Sequence, residues 1–320
     1  MLYFAPINLL SNYVYRHLLL KEGADYVFSE LIMINNLEKA EEDDKLKYFK
    51  EDEEKTIIQI GVSNVQEVQE GVAFVQKNFP NTPEININMG CPQSTMQEVQ
   101  VCGGLLHNIP LLQEIAGALV KEVGERASVK LRLGTSPENV LIHEYIQALD
   151  QAGIRKIYIH ARTLRHPYHK PARYELFTGL RERYPHLTLV FNGDVDGFQA
   201  YQAIGEGDVL IARAGLSNPF VFADIKARKN YREGSYDPIL KDPELLRGDY
   251  VQLGARKIAF IRNYLALAQQ ENLRQKLICA NMSWLVKGAS KASELIKELN
   301  KGEEQPIKVF ENWLEETTSL

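Results

Sequence analysis

The sequence predicts an α/β fold: a (β/α)8 barrel followed by a small all-helical C-terminal domain. Three observations carry that reading. Eight short runs rich in β-branched and aromatic residues recur through roughly the first 230 residues, amphipathic segments separate them, and beyond residue 235 only helical periodicity continues. Strand and helix in alternation mean a parallel sheet, because parallel neighbours need a crossover. Eight such units fit a closed barrel. A doubly wound open sheet is the competing arrangement, but no G-x-G-x-x-G turn follows any strand.

The strand runs are LYFAPI (2–7), DYVFSEL (25–31), TIIQIGV (56–62), EININMG (84–90), SVKLRLG (128–134), KIYIHAR (156–162), LTLVFNGD (187–194) and DVLIARA (208–214). Between them, segments such as NVQEVQEGVAFVQKNF (64–79), PLLQEIAGALVKEV (110–123) and VLIHEYIQALDQAG (140–153) repeat apolar residues at three and four positions, as a helix laid on a sheet requires. RKNYREGSYDPILKDP (228–243), with a glycine and two prolines, reads as the linker. The expected domains are therefore 1–235, the barrel, and 236–320, helical.

Bulk properties exclude several classes. Hydrophobic residues at 45% and charged residues at 25% describe a folded globular chain. The N-terminus lacks the basic region of a signal peptide, and no apolar run reaches membrane length. Three cysteines without a C-x-x-C pair argue against a disulfide framework or a zinc site, so a cytoplasmic protein is expected. The net charge of −5 lacks the basic footprint of a nucleic-acid binder. Much of the acid lies in KAEEDDKLKYFKEDEEK (39–55), read as a solvated surface segment. Arg256, Lys257, Arg262, Arg274, Lys276, Lys287, Lys291 and Lys297 fit an RNA-facing surface or helix faces paired with glutamates equally well.

Barrels of this kind carry their chemistry at the C-terminal ends of the strands. Those ends hold Ala5-Pro6-Ile7, Ser29-Glu30, Gln59, Asn88 to Cys91, Lys130 and Arg132, His160 and Arg162, Asn192-Gly193-Asp194, and Arg213. Amides and cations dominate, with two acids among them, on strands whose middles are plain Val, Ile and Leu. Such a ring suits an anionic heteroaromatic ligand. Arg213 and the NGD turn stand where barrels commonly bind phosphate, Lys130 can neutralise a ring or phosphate, and Gln59 can donate and accept at a flavin or pyrimidine edge. No metal is expected: His160 has no partner at i+3 or i+4 and carboxylates are sparse. No G-x-S-x-G elbow is present. Cys91, wedged between Gly90 and Pro92 at a strand tip, is more than a filler needs to be.

NINMGCP (86–92) followed by GGLL (103–106) resembles the central motif of the dihydrouridine synthase family. In order along the chain, APINLLSNYVYR (5–16), SEL (29–31), QIG (59–61), VKLRLG (129–134), IHART (159–163), NGDV (192–195), ARAGLSNPFVF (212–222) and MSWLVKG (282–288) continue the likeness. The resemblance implies an FMN-dependent enzyme that uses NADPH to reduce uridine in tRNA. It implies that Pro6, Ile7, Asn8, Gln59, Lys130, His160, Asn192, Gly193, Asp194, Ala212 and Arg213 bind FMN, and that Cys91 is the acid that protonates C5 of the uracil. A free thiol, titrating near 8.5, holds its proton at neutral pH where a carboxyl does not. Asn88 and Arg162 are expected to face the substrate base or its phosphate. Arg165, His166, His169, Lys170 and Arg173 are candidates for holding RNA backbone, and Cys102 and Cys279 are read as filler. A monomer is expected.

The chain departs from the family pattern in places. Gln93, Ser94, Thr95 and Met96, with Glu98 following, stand where basic residues are usual; Cys102 replaces a glycine, ARAG (212–215) a more glycine-rich run, and Ile7 a methionine. Two further readings remain open from the sequence: an FMN-dependent reductase of a small molecule, a dihydropyrimidine or enone, and a catalytically idle RNA-binding paralog.

Overall fold

The computed structural model describes residues 1–93, 100–205, 207–232 and 253–318. Parallel strands β1 (Leu2–Phe4), β2 (Tyr26–Phe28), β4 (Thr56–Gly61), β5 (Ile85–Met89), β6 (Ala127–Arg132), β9 (Lys156–His160), β10 (Thr188–Asn192) and β11 (Val209–Ile211) pair in that order. Pairing of β11 back onto β1 closes the eight-stranded barrel. The second strand run differs from its prediction: the chain bends after Phe28, and a two-residue β3 (Ile32–Met33) continues along the outer half of β4. A small antiparallel hairpin, β7 (Gly134–Ser136) with β8 (Asn139–Val140), follows β6 and had no counterpart in the sequence reading.

Side chains alternate across each strand, and two separate apolar clusters result. Outward residues such as Ile58, Ile60, Ile85, Ile87, Val129, Leu131, Ile157 and Ile159 join the helices in the main core. Inward, Tyr3, Ala5, Phe28, Ile57, Tyr158, Val190 and Leu210 fill the barrel's waist. The inward face is more polar than plain Val, Ile and Leu, because the same alternation places Asn86 and Ser128 inside, hydrogen-bonded at 2.9 Å. The barrel's N-terminal end is closed by Lys156: its ammonium pairs with Glu84 and stands 4.9 Å from the Tyr3 ring centroid and 5.7 Å from that of Tyr158, while Tyr158 donates to Glu84 at 2.9 Å.

The helices Val65–Asn78, Ile109–Val123 and Ile142–Gln151 confirm the three amphipathic segments, the first two with side-chain N-caps. Asn64 and Asn108 accept backbone N–H groups three residues on, and Pro110 occupies the first turn. Among the described residues from 253 onward there are four helices: Ala255–Gln270, Gln275–Leu285, Ala292–Lys301 and Pro306–Thr318. The expected linker starts inside the helix Val221–Arg232; the rest of it, including the 235/236 boundary, lies outside the described residues.

The acidic stretch 39–55 is a correction. Asp43, Asp52 and Glu53 are buried, because each has a partner that offsets desolvation. Asp43 pairs with Arg274 at 3.1 Å and Lys276 at 2.9 Å, and Asp44 with Arg274 at 3.0 Å. Asp52 meets His17 at 2.8 Å and Glu53 accepts the Asn81 amide. The stretch therefore docks the helical domain on the barrel, and it takes up charge that the sequence reading had left free on the helices. Arg256 likewise pairs with Glu22 at 3.0 Å, and Arg262 with Glu311 at 2.6 Å. Asn281 completes the junction, receiving a hydrogen bond from Asn12 at 2.6 Å and donating to Leu10 O at 2.9 Å.

Candidate active site

Inward residues beyond the apolar waist project at the C-terminal end, where the strand register sets Asn88 beside Lys130, Arg132 beside His160 and His160 beside Asn192. They surround a cavity of about 780 Å³. All fourteen residues singled out in the sequence line it: Pro6, Ile7, Asn8, Gln59, Asn88, Cys91, Lys130, His160, Arg162, Asn192, Gly193, Asp194, Ala212 and Arg213. Tyr168, which the sequence does not single out, also lines it, as do Trp284 of the MSWLVKG motif and Lys287 of the basic set, both reaching it from the helical domain. Among the described residues, no group of three His, Cys, Asp or Glu side chains could hold a metal ion.

Cys91 is half-buried in the wall, and its placement is fixed from three sides. Asn88 Oδ1 accepts the N–H groups of Gly90 and Cys91, each at 3.0 Å. Arg132 donates through Nε to Gly90 O at 2.8 Å. Gly103 lies directly beneath: a Cβ there would stand 2.1 Å from Cys91 O. The second glycine of the GGLL run, Gly104, donates its N–H to Val101 O at 2.8 Å and closes a turn. Asn88 Nδ2 is tied at 2.8 Å to Gln59 Oε1, and Gln59 Nε2 at 2.8 Å to Asn86, so a chain of amides runs across the floor of the cavity. Each of these NH2 groups keeps a second N–H. Cys102 is fully buried, with φ +51 and a thiol pushed up by burial and by proximity to Cys91; Cys279 is buried too.

Lys130 has no hydrogen-bond or ion-pair partner among the described residues. Burial, reinforced by the charge of Arg132 and opposed by Cys91, brings its ammonium down to about 7. The same enclosure and the cations Arg132, Lys130, Arg162 and Arg213 push His160 well below the usual imidazole range. Arg162 Nη1 lies 3.3 Å from His160 Nε2; since a guanidinium only donates, Nε2 accepts and the ring proton sits on Nδ1.

Arg162 is 1% exposed and spends its donors on protein: Lys170 O takes Nε at 3.1 Å and Nη2 at 2.6 Å, and Asp194 Oδ2 takes Nη2 at 2.6 Å. Asp194, at φ +46 beside Gly193 at φ +126, also accepts Ala172 N at 2.8 Å and Arg213 Nη2 at 2.7 Å. Burial works against its charge, but Arg162, the Ala172 amide and Arg213 outweigh it and hold the carboxyl below the usual range. Arg213, roughly half-exposed, is left to present cationic surface to the cavity.

Tyr168 stands exposed at the rim with Arg132, Arg162 and Arg213 at 5.3 to 5.7 Å from its ring centroid, and it accepts from Arg132 Nη2 at 2.7 Å. Its loop also holds Arg165, His169 and Lys170 exposed, while Arg173 pairs with Glu175 at 3.1 Å. Of the uncharged run after Cys91, residues 94–99 lie outside the described residues.

A family model described as dihydrouridine synthase matches residues 3–318. The probable tRNA-dihydrouridine synthase of Aquifex aeolicus (strain VF5) is 28% identical over 238 residues, 72% of this chain and 74% of that one. The tRNA-dihydrouridine synthase B of Shewanella oneidensis is 25% identical over 228 residues, 69% of this chain and 70% of that one. That of Pseudomonas aeruginosa is 27% identical over 253 residues, 76% of this chain and 74% of that one. A solved structure of morphinone reductase in complex with tetrahydroNAD aligns with a TM-score of 0.45 at 13% identity, covering 80% of this chain and 94% of that one.

Proposed function

Since the chain belongs to the dihydrouridine synthase family, we propose that it reduces the C5–C6 double bond of specific uridines in tRNA, with FMN as cofactor, NADPH as reductant and Cys91 as proton donor. The observation that carries the proposal is the cavity wall itself: a thiol, fixed from three sides, faces a space ringed by amides and cations. The donor set fits an anionic, ring-bearing cofactor. Lys130 is an enclosed cation without a partner among the described residues, the Gln59 and Asn88 amides each have a second N–H, and Arg213 stands with the Gly193 turn on the side proposed for the phosphate.

Bound FMN would supply the hydride that C6 of the uracil receives. The chain's own residues do the rest. Cys91 Sγ holds the proton that C5 must gain, and Asn88, Arg132 and Gly103 fix the backbone from which that sulfur projects. Neutral His160 donates without adding positive charge, so electrostatic neutralisation of the ring rests on Lys130. Arg162, with its donors engaged by Lys170 and Asp194, acts by holding the loop of Tyr168 in place. The target uridine must leave its stack to reach the cavity. The helical domain, 236–320, is the RNA-binding unit in this proposal, since Trp284 and Lys287 reach the mouth from it.

The test combines colour and product. Purified protein should carry flavin absorbance that NADPH bleaches under anaerobic conditions; a colourless protein that takes up no FMN would remove the flavin reading. Mass spectrometry of nucleosides from tRNA incubated with the enzyme should show dihydrouridine. Flavin turnover with a dihydropyrimidine or enone, and none with tRNA, would move the assignment to a small-molecule reductase.

A further inference from the structure

The turn that forms one wall of the cavity holds a conformation its own sequence does not favour. Pro6, Ile7 and Asn8 line the cavity, and the next residue, Leu9, sits at φ +64, a region that side-chain-bearing residues rarely enter. Leu10 N and Ser11 N both donate to Ile7 O, at 3.0 and 2.9 Å, and Ser11 Oγ accepts Ile7 N at 2.9 Å, so the turn closes on itself. The Leu9 amide takes no part in that closure. It donates outward to Glu30 Oε2 at 2.7 Å.

Glu30 comes from the end of the neighbouring strand run and is 2% exposed, and burial raises its pKa against the pull of the Leu9 N–H, Lys45 and Arg16. A carboxylate buried at such cost needs a compensating contact. Among the described residues, its carboxylate accepts from the backbone of the single left-handed residue in the turn. Arg16, buried beside it, donates to Ser11 O at 2.5 Å and so fixes the far end of the same turn.

We propose that Glu30 is a positioning residue for the cofactor: by holding the Leu9 amide it keeps Leu9 left-handed, and thereby keeps Pro6, Ile7 and Asn8 in the shape the flavin meets. The inference rests on the flavin reading above. It places in one cause-and-effect chain a strand-end acid that touches no ligand and a leucine where glycine would be at ease.

The experiment measures FMN affinity of apoprotein by flavin fluorescence, alongside the thermal midpoint of the apoprotein. Glu30→Ala should weaken FMN binding roughly thirtyfold, the loss of a charge-assisted hydrogen bond expressed in affinity. Glu30→Gln, which still accepts, should lose roughly threefold. Adding Leu9→Gly to either variant should return most of the loss, because glycine takes a positive φ without a bond to hold it. A merely structural role would show in the thermal midpoint of Glu30→Ala and leave the FMN affinity of the folded protein at its wild-type value. Wild-type affinity in Glu30→Ala, or a loss that Leu9→Gly fails to recover, overturns the proposal. Should Glu30→Ala not fold, the Glu30→Gln pair carries the test: equal affinities with and without Leu9→Gly overturn it. Absence of FMN binding by the wild-type protein would instead overturn the flavin reading.

Discussion

Replacing Gly103 by alanine tests the placement of Cys91 without touching the thiol. A Cβ at position 103 would stand 2.1 Å from Cys91 O and 3.0 Å from Cys91 C, with Leu164 Cδ2 at 2.8 Å on its other side. The obstructing atoms are backbone, so no rotamer relieves the clash; restoring an ordinary carbon–oxygen contact requires the Cys91 segment to move by about 1 Å, a displacement of the kind that costs on the order of a hundredfold in rate. The hydrogen bonds from Asn88 and Arg132 resist that movement, so part of the strain also enters stability, on the order of 1–3 kcal/mol for an overpacked site. The variant should bind FMN and oxidise NADPH as the wild type does, because the nearest atoms to the added Cβ belong to Cys91 and Leu164, neither of them assigned to the flavin. Uridine reduction in tRNA, measured under single turnover after prior reduction of the flavin, should fall by about two orders of magnitude. Single-turnover rates equal to wild type in a folded Gly103→Ala protein would refute the idea that the position of Cys91 limits the proton transfer.

Four other outcomes follow from the same geometry. Cys91→Ala should retain flavin and NADPH oxidation yet lose dihydrouridine formation on unmodified tRNA, and wild-type turnover by that variant would sink the acid role. Lys130, with its ammonium down at about 7, should gain a proton when an anionic ring binds beside it, so FMN affinity should weaken as pH rises above 7; Lys130→Met should flatten that slope in a titration series. Asp194→Asn leaves buried Arg162 without its carboxylate and should cost about 1–3 kcal/mol in urea unfolding at neutral pH; because the Asp194 pKa is lowered, its contribution is present above the usual carboxyl range and should fade as pH falls through the folded value, a fading the variant should lack. Asp43→Asn breaks the clamp on Arg274 and Lys276 and should lower stability by about 1 kcal/mol at low ionic strength, with the difference shrinking in 1 M salt; a salt-independent loss would assign the effect to packing instead.

The barrel and the ring of candidate residues were legible because both follow from a period of two. Ile57 and Gln59, Tyr158 and His160, and Val190 and Asn192 each put an apolar residue in the waist and a polar one at the mouth of the same inward face. Strand ends could therefore be read as one site although they span about two hundred positions. What escaped notice depends on contacts distant in sequence. Nothing in KAEEDDKLK announces that Asp43 and Asp44 will meet Arg274 and Lys276, so a run of like charge passed for a solvated surface. Nothing in the local sequence says that Leu9 takes a positive φ, since the cause is a carboxylate twenty-one residues on. Arg162 lines the cavity as its position suggests, but its hydrogen bonds to Lys170 O and Asp194 come from loops that the strand pattern does not describe. Trp284 and Lys287 were visible as a motif, but their place at the mouth is a consequence of domain docking.

The lysine that closes the far end of the barrel has a kinetic meaning. Lys156, lodged between Glu84 and the rings of Tyr3 and Tyr158, stoppers the vessel at its base. Among the described residues, the cavity at the other end is lined by Tyr168 from the barrel and Trp284 from the helical domain. Under the proposed function, a nicotinamide and a flipped nucleotide that reach the same ring in this cavity would take turns, each leaving before the other arrives. Initial-rate plots for the two substrates should run parallel, and each should compete with the other when present in excess.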